Sequence, residues 1–318
     1  MDANTAYLTQ NTPENVHTVE HPLSGGKTLE EILSNIEMTI IEEKEEHLII
    51  DLVGIEAPIA NALRRIMLSE VPTMAIEDIN LWQNTSVIPD EVLAHRIGLI
   101  PIDADPRLFK FKHPNEEHSS ENCICFKLHA VCRRLEDGSI VGDKVMSGDL
   151  QWQPFPNQQE RFGHFKPVHD DIIIAKLGPG QEIEAELFCE KGIGATHTKW
   201  SPVCTASYRL APKITLKKEI AGENAINLKN KCPMGVFDVK KGKAVVKNPR
   251  NCTSCRECIR EDDSMVSLAK VKDHFIFTIE TTGALSPRDI FREAIKELRD
   301  KAAFWLDKIN IYKRTPKS

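Results

Sequence analysis

Ala57-Pro58-Ile59-Ala60-Asn61-Ala62-Leu63-Arg64-Arg65-Ile66-Met67-Leu68-Ser69-Glu70-Val71-Pro72-Thr73-Met74-Ala75-Ile76 reads as a helix that runs straight into a strand. Pro58 suits a first helical turn, where its missing N–H costs nothing. Ile59, Leu63, Ile66 and Met67 recur at helical spacing on one face, with Arg64 and Arg65 away from its centre. Taken alone, this is an amphipathic core helix with solvated arginines. From Val71 to Trp82 the residues favour a strand. Upstream, Glu37 to Glu43 and His47 to Val53 form two strand-like runs around the charged turn Glu43-Lys44-Glu45-Glu46, a hairpin. Downstream, Pro89-Asp90-Glu91 opens a second helix through Val92, Leu93 and Ile97 toward Gly98.

The rest of the chain sets bounds on class. Its 318 residues suffice for two or three domains, and 41% hydrophobic with 28% charged residues is an ordinary globular composition. A net charge of −6 gives no global nucleic-acid footprint, since proteins that work mainly by neutralising phosphates are basic. Residues 1–35 read as a flexible polar tail, without the apolar core of a secretion signal in Met1 to Lys27. No run reaches the roughly 20 apolar residues of a membrane span. Near the other end, Ser286-Pro287-Arg288-Asp289 starts a helix. Ile290, Phe291, Ala294, Ile295, Leu298, Ala302, Leu306 and Ile309 continue one apolar stripe over roughly 22 residues, about 33 Å of helix.

Nine cysteines, an odd number, point to a reducing compartment. Cys232 is followed by Pro233, and twenty residues on comes Cys252-x2-Cys255-x2-Cys258, the spacing by which ferredoxin-like folds hold an iron–sulfur cluster. In two-cluster ferredoxins each C-x2-C-x2-C run gives three thiolates to one cluster, and the fourth comes from the Cys-Pro of the other half. A second cluster would need a cysteine where Asp262 stands. One site therefore survives. Its four sulfurs suit a single [4Fe–4S] or [3Fe–4S] cluster, or zinc, or remain reduced thiols with no metal. Gly235 to Val239 and Ala244 to Val246 form a short hairpin around Lys240-Lys241-Gly242-Lys243. Between about 83 and 214, runs such as Cys123 to Cys132, Asp171 to Lys176 and Glu182 to Cys189 alternate with turn signals including Gly178-Pro179-Gly180.

Asn61 to Ile76, together with Ala94-His95-Arg96-Ile97-Gly98-Leu99-Ile100-Pro101-Ile102, resembles the α-like assembly subunits of DNA-directed RNA polymerases. Asp103-Ala104-Asp105-Pro106-Arg107-Leu108-Phe109 narrows the resemblance to the larger α-like subunit shared by polymerases I and III. Pro167 to Ile172, Gly180 to Ile183, Lys191-Gly192-Ile193-Gly194, Ser201 to Arg209 and Asp273 to Glu280 resemble the same subunit, in order, over nearly everything after residue 36. In the polymerase II relative the neighbourhood after Ile102 carries a compact zinc-binding cysteine cluster; here only Cys123 and Cys125 are near. Members of the shared-subunit family differ at the four-cysteine site, so the resemblance leaves the metal open.

The resemblance implies an α+β fold with a discontinuous α-like dimerisation domain, 36–82 plus 266–318. Into it are inserted a mostly-β domain, 83–214, and a ferredoxin-like module, 215–265. It implies a non-catalytic scaffold that pairs with a smaller α-like subunit and supports the large catalytic and small assembly subunits of polymerases I and III, meeting DNA only through the complex. A nuclear, including nucleolar, location follows, with ribosomal RNA precursors, 5S RNA and tRNA as products of the whole. By that carry-over Leu63, Ile66 and Met67 with Leu298, Ala302 and Leu306 form the dimerisation core. His95, Arg96, Asp105 and Arg107 are assembly contacts.

Catalytic constellations are absent from the pattern. There is no GxxxxGK[ST] phosphate loop, and Asp170-Asp171 lacks the further aspartate that a magnesium site favours. His164, His169 and His197 read as surface or packing residues. Two rival readings are an α-like subunit of polymerase II or of the archaeal enzyme, which Asp103 to Phe109 disfavours, and a redox protein built on the single cluster.

Overall fold

The computed structural model describes residues 5–8, 28–260 and 262–314. The chain divides into two compact units, one of Met1–Glu42, Ile49–Asn61 and Ser207–Thr278, the other of Glu43–Leu48, Ala62–Ala206 and Ile279–Ser318.

The first unit is built on a five-stranded sheet ordered Thr5–Leu8, Val266–Thr281, His47–Val53 and Glu37–Glu43, with Val203–Leu216 also pairing with Val266–Thr281. The hairpin and the returning strand are the ones read from the sequence. Two details differ. A strand at Thr5–Leu8, antiparallel to Leu268–Val271, and a helix at Leu29–Ser34 lie within the stretch expected to be a tail; residues 1–4 and 9–27 of that tail lie outside the described residues. Val203–Leu216, assigned to the inserted β domain, joins this sheet instead, because alternation shows that one face is buried and not which sheet covers it. Tyr208 on that strand packs against Phe275 and Phe277, with ring centroids 5.3 Å from each.

In the same unit, the helix Glu223–Lys231 and the hairpin Phe237–Lys240/Lys243–Val246 enclose a small core of Ile220, Ala225, Leu228, Val236, Phe237 and Ile259. Cys232, Cys252 and Cys258 pack against its edge.

The second unit centres on an antiparallel four-stranded sheet in the order Gln151–Gln153, Cys123–Val131, Glu182–Ile193, Pro72–Asn84. Glu182–Ile193 alternates buried and half-buried positions over most of its length, as a strand with one covered face must. Ile76, Leu93, Ile97, Ile124, Phe126 and Leu187 form the core. Gly192 is needed there for space: a Cβ on it would sit 2.3 Å from the Trp200 ring, whose Nε1 donates to the Glu190 carbonyl at 3.0 Å.

The helix Pro287–Arg314 has 28 residues, about 42 Å at 1.5 Å per residue. Ser286 caps it: its Oγ accepts from the Asp289 N–H at 3.1 Å and donates to the Asp289 carboxylate at 2.9 Å. Among the described residues no helix is long and apolar enough to cross a membrane.

Candidate functional site

Two places in the molecule lack an obvious purpose in holding the fold together. The first is the cysteine pocket. Cys232 follows the C-terminal end of Glu223–Lys231, and Cys252 follows the short turn Pro249–Asn251. Cys232, Cys252, Cys255 and Cys258 all line one pocket, with Ile214, Val236 and Leu268 on its apolar side. The intervening loop is wound by two left-handed non-glycine residues, Ser254 (φ 60°) and Arg256 (φ 64°). Such backbone costs about 1–3 kcal/mol per residue and turns the three thiols of the C-x2-C-x2-C run toward the same pocket.

Backbone N–H groups already point at the sulfurs: Val236 donates to Cys232 Sγ at 3.5 Å and Ser254 to Cys252 Sγ at 3.4 Å. Burial, then the neighbouring Cys252, Cys255 and Cys232, pushes the Cys258 thiol up to about 12. Burial also raises Cys252, outweighing the Ser254 N–H that favours its thiolate. Four thiols around one pocket with N–H···S contacts fit a metal centre, an iron–sulfur cluster or zinc alike. Asp262, where a second cluster would need its cysteine, instead caps a turn, accepting from the Ser264 N–H at 2.7 Å.

The cysteine loop is tied to the sheet. Arg250, two residues before Cys252, donates both guanidinium arms to Asp51 at 2.8 Å each, and His274 Nε2 lies 3.1 Å from the same carboxylate. Arg209 donates to the Cys252 carbonyl at 3.3 Å. Asp51, mid-strand in His47–Val53, is the one charged side chain among the buried polar residues described. Sequence reading missed this clamp; a lone Asp between Ile50 and Leu52 in an apolar strand was its one visible signal.

The second place is the C-terminal helix. Its first turns are covered, with Ile290 and Ala294 fully buried and Phe291 nearly so. Leu298 is half-buried, and from there Ala302, Leu306 (61% exposed) and Ile309 face solvent. Phe304, Trp305, Ile311 and Tyr312 are exposed beside them. The single-stripe reading omitted these four, though two adjacent aromatics at Phe304-Trp305 on a charged helix were a signal. The companion helix Ala57–Ser69 behaves differently from expectation. Leu63, Ile66 and Met67 are buried within the chain itself, whereas Ile59 is 44% exposed. A two-layer fold covers the stripe of its central helix first, so these three residues are not an open surface.

The residues read as assembly contacts are engaged internally, apart from His95. Arg96 donates to the Ile173 and Ile174 carbonyls at 2.8 and 2.9 Å, tying the helix Asp90–Gly98 to the strand Ile173–Lys176. Asp105 caps the turn Pro106–Leu108 and holds Arg107, which also faces Asp289 (3.6 Å) and Glu293 (3.9 Å) on the C-terminal helix. His95 is exposed, with its ring edge-on to His197 at 5.9 Å. His197 Nδ1 in turn accepts the Lys199 N–H. Among the described residues, one trio of metal-capable side chains does converge, Asp78, His118 and Glu190. Lys112 Nζ lies 2.5 Å from Glu190 and 3.4 Å from Asp78, so an ammonium already serves both carboxylates.

The RNA polymerase Rpb3/Rpb11 dimerisation domain matches residues 49–302. The chain belongs to this family. It is 49% identical over 87% of its length to the polymerase I and III subunit rpac1 of Dictyostelium discoideum, covering 82% of that protein. It is 44% identical to human RPAC1, over 93% of this chain and 92% of that one. It is also similar, at 31% identity over 86% of its length, to the polymerase II subunit rpb3 of Dictyostelium discoideum, 95% of which is covered. The family match runs from within the strand His47–Val53 through the first half of the C-terminal helix, and its model is that of a dimerisation domain.

Proposed function

We propose that this chain is the larger α-like scaffold subunit shared by RNA polymerases I and III, without catalytic groups of its own. It pairs with a smaller α-like subunit, and the pair carries the large catalytic subunits that make ribosomal RNA precursors, 5S RNA and tRNA. Its place is the nucleus, nucleolus included, and it meets DNA only through the assembled enzyme. The observation that carries this reading is the C-terminal helix, buried at Ile290 and Ala294 and exposed at Trp305, Leu306 and Ile309. An apolar face this extended is a protein interaction surface, and a helix from a second α-like chain is the element that fits it. Leu298, Ala302 and Leu306 belong to that contact, joined by Phe304, Trp305 and Ile311.

The four cysteines hold one iron–sulfur cluster in the same proposal. The Cys232-Pro233 and Cys252-x2-Cys255-x2-Cys258 spacing, the shared pocket and the N–H···S contacts support it. The cluster would supply a covalent cross-link between the Cys232 turn and the Cys252–Cys258 loop. Co-expression with the smaller α-like chain of the same organism tests the pairing: a 1:1 complex is expected, and Leu306→Asp should abolish it while leaving this chain folded. A soluble monomer indifferent to that substitution contradicts the pairing.

A further inference from the structure

Between Lys229 and Arg250 stand seven cations and a single acid, Asp238, in a protein of net charge −6. The fold absorbs some of them. Arg250 turns inward to Asp51, and Lys243 pairs with Glu219 at 2.8 Å. Lys229 and Lys247 share Asp238, at 2.8 and 3.4 Å. Their ammonium groups and the Val239 N–H hold the Asp238 carboxyl down at about 2, the Lys229 hydrogen bond contributing most.

Lys240 and Lys241 have no carboxylate partner among the described residues, and both are exposed. Their placement works against the hairpin. Lys240 is directly opposite Lys243 in the strand register, and like charges in that position destabilise a pair. Lys241 and Gly242 form the two-residue turn, with φ of 48° and 75°. Such turns favour Asn, Asp or Gly at the first position, so a lysine there adds backbone strain with no contact in return. Lysines do guard exposed strand edges against pairing, but that role needs them along the edge and not at a strained turn.

We infer that this hairpin tip, with Lys229 and Lys247 beside it, is a docking surface for an acidic polypeptide segment. Carboxylates would relieve the Lys240/Lys243 repulsion and take up the unpaired charge of Lys241. A nucleic acid fits less well. The described hairpin offers no exposed aromatic for base stacking, and the chain outside this window carries an excess of acid that repels a long phosphate backbone. The surface is independent of the scaffold reading, since it uses neither the C-terminal helix nor the thiols.

Fluorescence anisotropy of a labelled oligoglutamate peptide, titrated with the full chain in its purified assembly, tests the proposal. The intact protein should bind with an affinity that falls steeply as salt rises from about 0.05 to about 0.3 M. Lys240→Gln/Lys241→Gln should weaken binding roughly fivefold and Lys240→Glu/Lys241→Glu more than about tenfold. If the Glu pair disturbs the fold, the Gln pair, which removes repulsion, carries the test alone. No binding by the intact protein, equal binding by the Gln variant, or tighter binding of duplex DNA or single-stranded RNA than of oligoglutamate each overturns it.

Discussion

Asp51 and Arg250 meet in a two-pronged ion pair, with both guanidinium arms 2.8 Å from the two carboxylate oxygens, linking the middle of the His47–Val53 strand to the residue two before Cys252. The pair fixes where the cysteine loop leaves the sheet. His274 adds a third member from the neighbouring strand Val266–Thr281. Asp51→Asn keeps the shape but leaves a half-buried guanidinium without its counter-charge. Unfolding in urea should show a loss of about 2 kcal/mol, and protein purified anaerobically should retain less metal than the wild type. Unchanged stability and metal content would show the clamp to be incidental.

The same carboxylate sets an acid limit. Burial alone would raise the Asp51 pKa, but the hydrogen bonds and charges of Arg250 and His274 outweigh it and hold it below its ordinary 3.8. A depressed carboxylate contributes stability that is complete above its unfolded pKa and fades as pH falls through the folded one. The stability difference between wild type and Asp51→Asn should therefore shrink as pH falls below about 4. A difference that went on growing below that pH would contradict the assignment.

For the cysteines, the account predicts brown protein under anaerobic purification, with iron and sulfide both lost in Cys255→Ser. Colourless protein with one equivalent of zinc would instead assign the site to zinc, and neither metal with all thiols free would remove it. Loss of the cluster should loosen the Glu223–Ile259 region first, seen as faster amide exchange there while the four-stranded sheet stays protected.

Leu63 and Leu306 separate folding from assembly. Leu63 is 5% exposed and Leu306 61%. Leu63→Asp should destabilise the chain itself by about 3 kcal/mol or more, since it buries an unpaired carboxylate. Leu306→Asp should leave the chain's melting within about 0.5 kcal/mol of wild type and still lose the partner. Equal effects of the two on stability would mean that the distal helix is not open.

The helix-to-strand run from Ala57, the hairpin before it and the capped C-terminal helix were legible because their periodicities and end signals are local. The gathering of Cys232, Cys252, Cys255 and Cys258 around one pocket was legible from spacing alone. What could not be read was who covers whom. Leu63, Ile66 and Met67 look the same on a helical wheel as Leu298, Ala302 and Leu306, yet the first three are inside the chain and the last two outside it. Arg96 and Arg107 were read as assembly contacts because their partners within the chain, Ile173, Ile174, Asp289 and Glu293, lie far away in sequence. The Asp51 clamp joins residues about two hundred positions apart and has no local signature.

Affinity purification of the chain from its own cells at gentle salt, with every co-purifying polypeptide identified, tests the scaffold claim most directly. The account predicts the large catalytic subunits of both polymerase I and polymerase III, with one small α-like chain in equal amount. Recovery with polymerase II large subunits, or as a free monomer without any polymerase subunit, would contradict it.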